Sequence, residues 1–228
     1  MGYLQLGLYI AAIVLVMWSQ AKVQGAYKHF SEVRTEKHLS GAAVARQILD
    51  SNGLSDVQVQ VSQNGLLSDH FDQRTNIVNL SPKVYNEDSI ASVAVAAHEV
   101  GHAIQFAERY AFIGVRNALL PVAIVSGNLA WFVIIIGFIS QQMPILYIGI
   151  AMLGVIALFQ LVTLPVELDA SGRALRILNS EGFINPDESA DAKAMLRAAA
   201  FTYVAALLAT VLQIIRLLLL SGRSNRRN

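Results

Sequence analysis

Long apolar stretches dominate the 228-residue chain, and one extended polar stretch lies among them. Four apolar runs have roughly the 20 residues that an α-helix needs to cross a bilayer. They cover residues 3–21, 119–139, 144–164 and 202–220. Only Ser140-Gln141-Gln142-Met143 separates the second run from the third, so these two runs predict a helical hairpin in the membrane. The pattern as a whole predicts four transmembrane helices.

In the polar stretch, residues 23–117, the apolar residues recur with the spacing of helices in some segments and of strands in others. Ser40 before a run of small and apolar residues predicts a capped helix. The valines at 57, 59 and 61 alternate with glutamines, a period of two that is typical of a half-buried strand. Asn64-Gly65 predicts a turn, and residues 77–80 predict a second strand. Asp88 or Ser89 is then expected to cap a long helix.

These patterns predict a mainly α membrane protein with four transmembrane helices and a small α+β domain, in which a short hairpin or sheet accompanies a helix. We interpret the first run as a retained anchor because no Lys or Arg precedes it and Ser19-Gln20-Ala21 is a poor cleavage site. The predicted segments are an N-terminal transmembrane anchor at 1–22, a soluble region at 23–117, a transmembrane hairpin at 118–165, a returning segment at 166–201, and a C-terminal transmembrane helix with a basic tail at 202–228.

Composition narrows the class of function. The chain is 54% hydrophobic and only 14% charged, whereas soluble domains average about 25% charged residues. A net charge of +1 argues against a nucleic-acid partner. Because the chain has no cysteine, any zinc site must be built from histidine and carboxylate ligands.

The chemical signal of the chain is His98-Glu99-Val100-Gly101-His102, inside the predicted long helix. Residues four apart share one face of a helix, so both imidazoles can reach one metal ion. Glu99 is then placed to act as a general base on a water molecule. The motif predicts a hydrolytic zinc site with one Zn²⁺ per chain.

A catalytic zinc takes three protein ligands, and the membrane hairpin indicates where the third one lies. Two crossings return the chain to the side from which it left, just before Glu167 and Asp169. These are the only carboxylates between Glu108 and Glu181. We predict Glu167 as the third ligand and Asp169 as a residue that orients a ligand imidazole, although the reverse assignment remains open.

Two further features of the reaction have candidates in the sequence. A group must stabilise the oxyanion of the tetrahedral intermediate, and the candidates are His70, Arg173 and Tyr203. The strand at 77–80 is predicted to be an exposed edge that aligns an extended peptide through main-chain hydrogen bonds.

Three segments of the chain carry a family resemblance. They are His-Glu-Val-Gly-His-Ala-Ile-Gln at 98–105, Ser-Asp-His-Phe-Asp at 68–72 leading into Asn-Leu-Ser-Pro at 79–82, and Leu-Pro-Val-Glu-Leu-Asp-Ala-Ser at 164–171. Together they resemble the bacterial neutral zinc metallopeptidases of the YugP type, over nearly the whole chain. The resemblance implies a membrane zinc endopeptidase with zinc on His98, His102 and Glu167, and with Glu99 as the catalytic base.

The layout is also similar to the HtpX and CAAX-prenyl protease gluzincins, in which two membrane helices separate the paired histidines from the ligand glutamate. Those families place an aspartate four residues after that glutamate. Here position 171 is Ser, and the acid stands at Asp169.

The expected function is therefore a membrane-embedded zinc-dependent endopeptidase, a metalloprotease whose substrate is a peptide or a membrane-associated protein. Two alternatives remain: an intramembrane-cleaving metalloprotease, and a zinc-binding membrane scaffold or chaperone without turnover. Small residues in the apolar runs also allow a homo-oligomer. The lipid bilayer is an expected partner, and no nucleic acid is expected.

The expected location is the bacterial plasma membrane. Arg and Lys residues near the membrane in 23–117 and 165–201 favour a cytoplasmic active site by the positive-inside rule. Arg223, Arg226 and Arg227 in the tail favour the opposite orientation.

Overall fold

The computed structural model describes residues 2–63, 65 and 68–224, without the side chains of residues 223 and 224. Asn64 of the predicted turn and residues 225–228 of the predicted basic tail lie outside the described residues. Along the chain the elements are α1 (Tyr3–Ser31), α2 (Gly41–Ser51), β1 (Gln58–Val61), β2 (His70–Asp72), β3 (Ile77–Leu80), α3 (Pro82–Asn86), α4 (Ile90–Ala107), α5 (Ala111–Ile139), α6 (Met143–Ser180) and α7 (Pro186–Ser224). The protein is mainly helical with one small sheet, as the sequence predicts.

Four helices, α1, α5, α6 and α7, are long and apolar enough to cross a membrane, which confirms the predicted number of spans. All four extend beyond their apolar runs, and α6 and α7 do so by the greatest length. Helix α6 continues through Pro165 to Ser180, and α7 runs unbroken from Pro186. Asn185 and Glu188 exchange side-chain-to-backbone hydrogen bonds of 2.9 and 2.8 Å, a capping box that fixes the start of α7.

The chain folds as two compact units. The first, called here the apolar unit, comprises residues 1–20, 114–164 and 201–228. In it, Ile134 of α5 packs with Leu146 and Ile150 of α6. Gly149 permits this approach, because a Cβ there would lie 2.5 Å from a side-chain carbon of Ile134. Many large side chains of its helices remain exposed, which is the surface that lipid requires.

The second, called here the polar unit, comprises residues 21–113 and 165–200. Its core lies between α2, α4 and the sheet, with Ile48, Leu49, Val78 and Leu80 fully buried. Helix α4 is buried around most of its circumference. Its start is fixed by Ser89, whose hydroxyl accepts a hydrogen bond from the backbone N–H of Ser92.

The sheet has the order β1-β3-β2, with β1 parallel and β2 antiparallel to β3. The prediction that the strand at 77–80 is an exposed edge is therefore wrong, because β3 is the central strand. Its alternate residues Val78 and Leu80 are completely buried, which is the physical reason for its central place. The edges belong to β1 and to β2, and β2 has only three residues, too few for a sequence period to be detected.

Candidate metal centre

Helix α4 presents His98 and His102 on one face, one turn apart. Their ring centroids are 4.7 Å apart and the rings are nearly perpendicular, at 80°. The side chains are 17% and 18% exposed, so both imidazoles are largely shielded from solvent. The helical spacing of the motif thus produces the paired donors that the sequence predicts.

Helix α6 brings Glu167 to this pair. Its Oε2 lies 3.4 Å from Nε2 of His98 and 3.5 Å from Nε2 of His102. The donor atoms of these three residues all lie within 4.8 Å of one another. The residue is buried, at 5% exposed. Glu167 is therefore the carboxylate that joins the two histidines.

The close approach of α6 to α4 depends on a glycine inside the motif. A Cβ at Gly101 would lie 2.8 Å from the carbonyl oxygen of Ala170. Any side chain larger than the hydrogen of glycine would push the backbones of α4 and α6 apart at this point. Gly101 is a site residue that the sequence reasoning did not single out, although it stands between the two histidines.

Each imidazole has a hydrogen-bond partner for its other nitrogen. Nδ1 of His102 lies 3.0 Å from Oε1 of Gln105, and Nδ1 of His98 lies 3.1 Å from the hydroxyl of Ser171. If each Nδ1 carries the proton, Nε2 of each ring presents a lone pair beside Glu167. Such partners fix the ring and the tautomer of a metal-binding histidine.

Asp169 acts on this arrangement through Gln105 rather than on an imidazole directly. The amide nitrogen of Gln105, which is completely buried, donates to Oδ2 of Asp169 and to the carbonyl oxygen of Val166, both at 2.8 Å. Asp169 also accepts a hydrogen bond of 2.6 Å from Nε of Arg173. Arg173 in turn pairs with Glu108 at 2.6 Å. A chain of polar contacts therefore runs from His102 to the surface.

Glu99, the candidate base, is buried at 8% exposed. Its Oε2 accepts a hydrogen bond of 3.1 Å from the backbone N–H of Phe71 on β2. The nearby Asp69 accepts two hydrogen bonds from Ser81, and its pKa is raised, mainly by burial and in part by the charge of Glu99. One carboxylate oxygen of Glu99 is therefore held by the sheet.

The other candidates for oxyanion stabilisation are placed differently. His70 is exposed, and its ring contacts the Ser68 carbonyl oxygen and the Asn79 amide. Arg173 pairs with the carboxylates of Asp169 and Glu108. Tyr203 belongs to the apolar unit. Their roles as oxyanion stabilisers stay predictions.

The donor set fits zinc. Ligand atoms held at 2.0–2.1 Å by a tetrahedral ion lie about 3.3 Å from one another, close to the 3.4 and 3.5 Å observed between Glu167 and the imidazoles. The environment also favours positive charge at this position. Burial by itself would lower the pKa of His102, but the neighbouring carboxylates of Glu167 and Glu99 outweigh it, so the pKa lies above the ordinary histidine value. Two imidazoles and one carboxylate form one of the usual protein ligand sets of catalytic zinc.

Comparison with known proteins gives the same class. A family model described as "Putative neutral zinc metallopeptidase" matches residues 6–222. The chain is similar to the "Putative membrane protease YugP" of Bacillus subtilis (strain 168), with 40% identity over 216 residues, which are 94% of this chain and 96% of that protein. No solved structure matches the chain. The model match covers most of the sequence, and the chain therefore belongs to this zinc metallopeptidase family.

Proposed function

We propose that this protein is a membrane-embedded zinc endopeptidase that binds one Zn²⁺ per chain through His98, His102 and Glu167. The observation that carries the proposal is the convergence of these three donors beside a buried Glu99. Bound zinc would supply Lewis acidity, polarising the scissile carbonyl and lowering the pKa of the attacking water.

The remaining steps belong to residues of the chain. Oε2 of Glu99 is held by the N–H of Phe71, so Oε1 is the atom that takes a proton from the attacking water. The same oxygen then delivers this proton to the amine of the leaving peptide. Gln105 and Ser171 keep the Nε2 atoms directed toward the ligand position throughout.

The substrate is proposed to align along β2. Phe71 stands opposite Val78 in the antiparallel ladder, yet its N–H donates to Glu99 instead of β3. In such a pair, both the N–H and the C=O of the residue point away from the neighbouring strand. The carbonyl of Phe71 is thus available to accept a hydrogen bond from the backbone of an extended peptide. Among the described strands, β2 pairs with β3 alone.

The alignment along β2 has a matched pair of variants. Phe71→Pro removes the N–H and distorts the strand edge, whereas Phe71→Ala keeps the backbone and removes the ring that packs near Phe106. Because Phe71→Pro also removes the hydrogen bond to Glu99, the alignment is measured from KM, which the proposal expects to rise in the proline variant and to change little in Phe71→Ala. An unchanged KM in the proline variant would show that the strand edge does not align the peptide.

The test of the activity is metal content and casein cleavage by detergent-purified protein. The native protein should hold one zinc and cleave, and Glu99→Gln should hold one zinc and lose at least about 10²-fold in rate. Glu167→Ala should lose the zinc itself. Equal activity in the native protein and Glu99→Gln would overturn the assignment of Glu99, and zinc without any turnover would favour a scaffold.

We further propose a plasma-membrane location with a cytoplasmic active site, supported by the basic residues that flank the apolar runs in 23–117 and 165–201. The chain contains no cysteine, so a single Gln60→Cys change gives an unambiguous label at an exposed position. An impermeant thiol reagent should react only after the cells are opened. Labelling of intact cells would reverse the orientation. The substrates proposed are membrane-associated proteins or peptides.

A further inference from the structure

The apolar unit contains a cavity of about 880 Å³. It is lined by residues of α1, α5, α6 and α7, which include Tyr9, Ile13, Met17, Trp131, Gln213 and Arg216. Its volume lies within the range of roughly 300–1,000 Å³ that is usual for ligand sites. Most of the lining is aliphatic or aromatic, so the occupant must be largely apolar.

Two polar side chains on α7 break this apolar lining. Gln213 is 9% exposed, and its Nε2 has no hydrogen-bond partner among the described residues. The Nε of Arg216 likewise has none, while the guanidinium carbon lies 4.7 Å from the ring centre of Tyr9. Residues three apart share a helix face. Both orphaned groups are donors, and a buried donor without an acceptor is costly.

The apolar unit offers no carboxylate side chain to Arg216. The sequence of residues 1–20, 114–164 and 201–228 contains no aspartate and no glutamate. A cation inside an apolar segment is expensive unless it is paired or reaches the interface. An occupant with acceptor oxygens at one end and a hydrocarbon body would satisfy both donors and fill the cavity.

We propose that this cavity binds an anionic phospholipid, with its phosphate at Gln213 and Arg216 and an acyl chain against Tyr9, Ile13, Met17 and Trp131. Basic pockets between membrane helices are known to bind anionic lipid head groups. The site would make the apolar unit sensitive to lipid composition. It is independent of the zinc site and does not rest on the proposed function.

Tryptophan fluorescence can test this directly. The chain has two tryptophans, so Trp18→Phe leaves Trp131, in the cavity lining, as the only reporter. The protein is reconstituted in lipid mixtures in which either phosphatidylglycerol or phosphatidylcholine carries bromine on its acyl chains, at equal mole fraction. Quenching should reveal a preference of about fivefold for phosphatidylglycerol, the selectivity expected of one basic residue.

Matched variants separate the site from general charge effects. Arg216→Gln should reduce the preference to near one, and Gln213→Leu, which keeps the charge, should weaken it. Arg226→Gln removes the same charge from the tail and should leave the preference intact. Circular dichroism and gel filtration check that each variant folds; if Arg216→Gln does not, Gln213→Leu decides. Equal quenching by both lipids in the native background, or equal losses in Arg216→Gln and Arg226→Gln, would overturn the proposal.

Discussion

The hydroxyl of Ser171, one helical turn after the candidate ligand Glu167, lies 3.1 Å from Nδ1 of His98. This is the position at which the similar HtpX-type layout carries an aspartate. The position therefore keeps its contact with an imidazole, but with a neutral oxygen. Asp169, two residues earlier, supports the other imidazole through Gln105.

The contact of Ser171 predicts a graded effect on zinc affinity. Removing a residue that orients a metal ligand typically lowers metal affinity or activity by about 10–100-fold. We expect Ser171→Ala to show such a loss and Ser171→Asp to retain zinc, because a carboxylate also accepts from Nδ1–H. Chelator competition followed by metal analysis measures both. Native affinity in Ser171→Ala would show that the hydroxyl does not orient His98.

Gln105 is expected to matter for both metal binding and stability. Gln105→Leu removes the acceptor of His102 and the buried amide that donates to Asp169 and to the Val166 carbonyl. Zinc affinity should fall by about 10–100-fold, and the unfolding free energy should fall by about 1–3 kcal/mol. Gln47→Leu, in helix α2, is the matched control. Thermal melts with and without chelator separate the two effects, and a variant that loses neither contradicts the contact.

The packing of Gly101 on Ala170 predicts an effect of a single methyl group. Gly101→Ala would place its Cβ 2.8 Å from a carbonyl oxygen, which forces α6 away from α4. Overpacking of this kind costs about 1–3 kcal/mol, and it also moves Glu167 from the histidines. We expect a lower Tm and weaker zinc binding.

Gly25→Ala is the control for this change, because it lies in a helix of the same unit with nothing within 4 Å of its Cβ. Its higher helix propensity should leave Tm unchanged or raise it. If both alanines behaved alike, the close approach at Gly101 would not limit the site.

Asp69 predicts a pH dependence of stability. Its folded pKa is raised, first by burial, so the folded state holds this proton at pH values where the unfolded chain has released it. Stability should therefore fall as the pH rises from the unfolded pKa through the folded one, a window that begins near the ordinary aspartate pKa of about 3.9. Asp69→Asn should remove this part of the slope. Melting curves of both proteins from pH 4 to 7 test this prediction. An equal dependence of Tm on pH in the two proteins would refute the raised pKa of Asp69.

Much of the protein follows from its sequence alone. Four apolar runs of membrane length fix the four spans, because backbone polar groups in lipid must bond within their own helix. The i, i+4 spacing places His98 and His102 on one face whatever surrounds them. The two crossings between Glu108 and Glu167 predict the third donor, since they return the chain to the starting side.

Tertiary structure decided what depends on contacts between distant segments. The sequence could not show that β2 exists or that β3 is central, because strand order is set by pairing across the sheet and a three-residue strand has no period to detect. The sequence also could not show that Ser171 contacts His98 or that Gln105 donates a hydrogen bond to Asp169, since these partners are 73 and 64 residues apart. Helical periodicity determines which residues share a face of α4, whereas the packing of α6 against α4 at Gly101 determines which side chains contact that face.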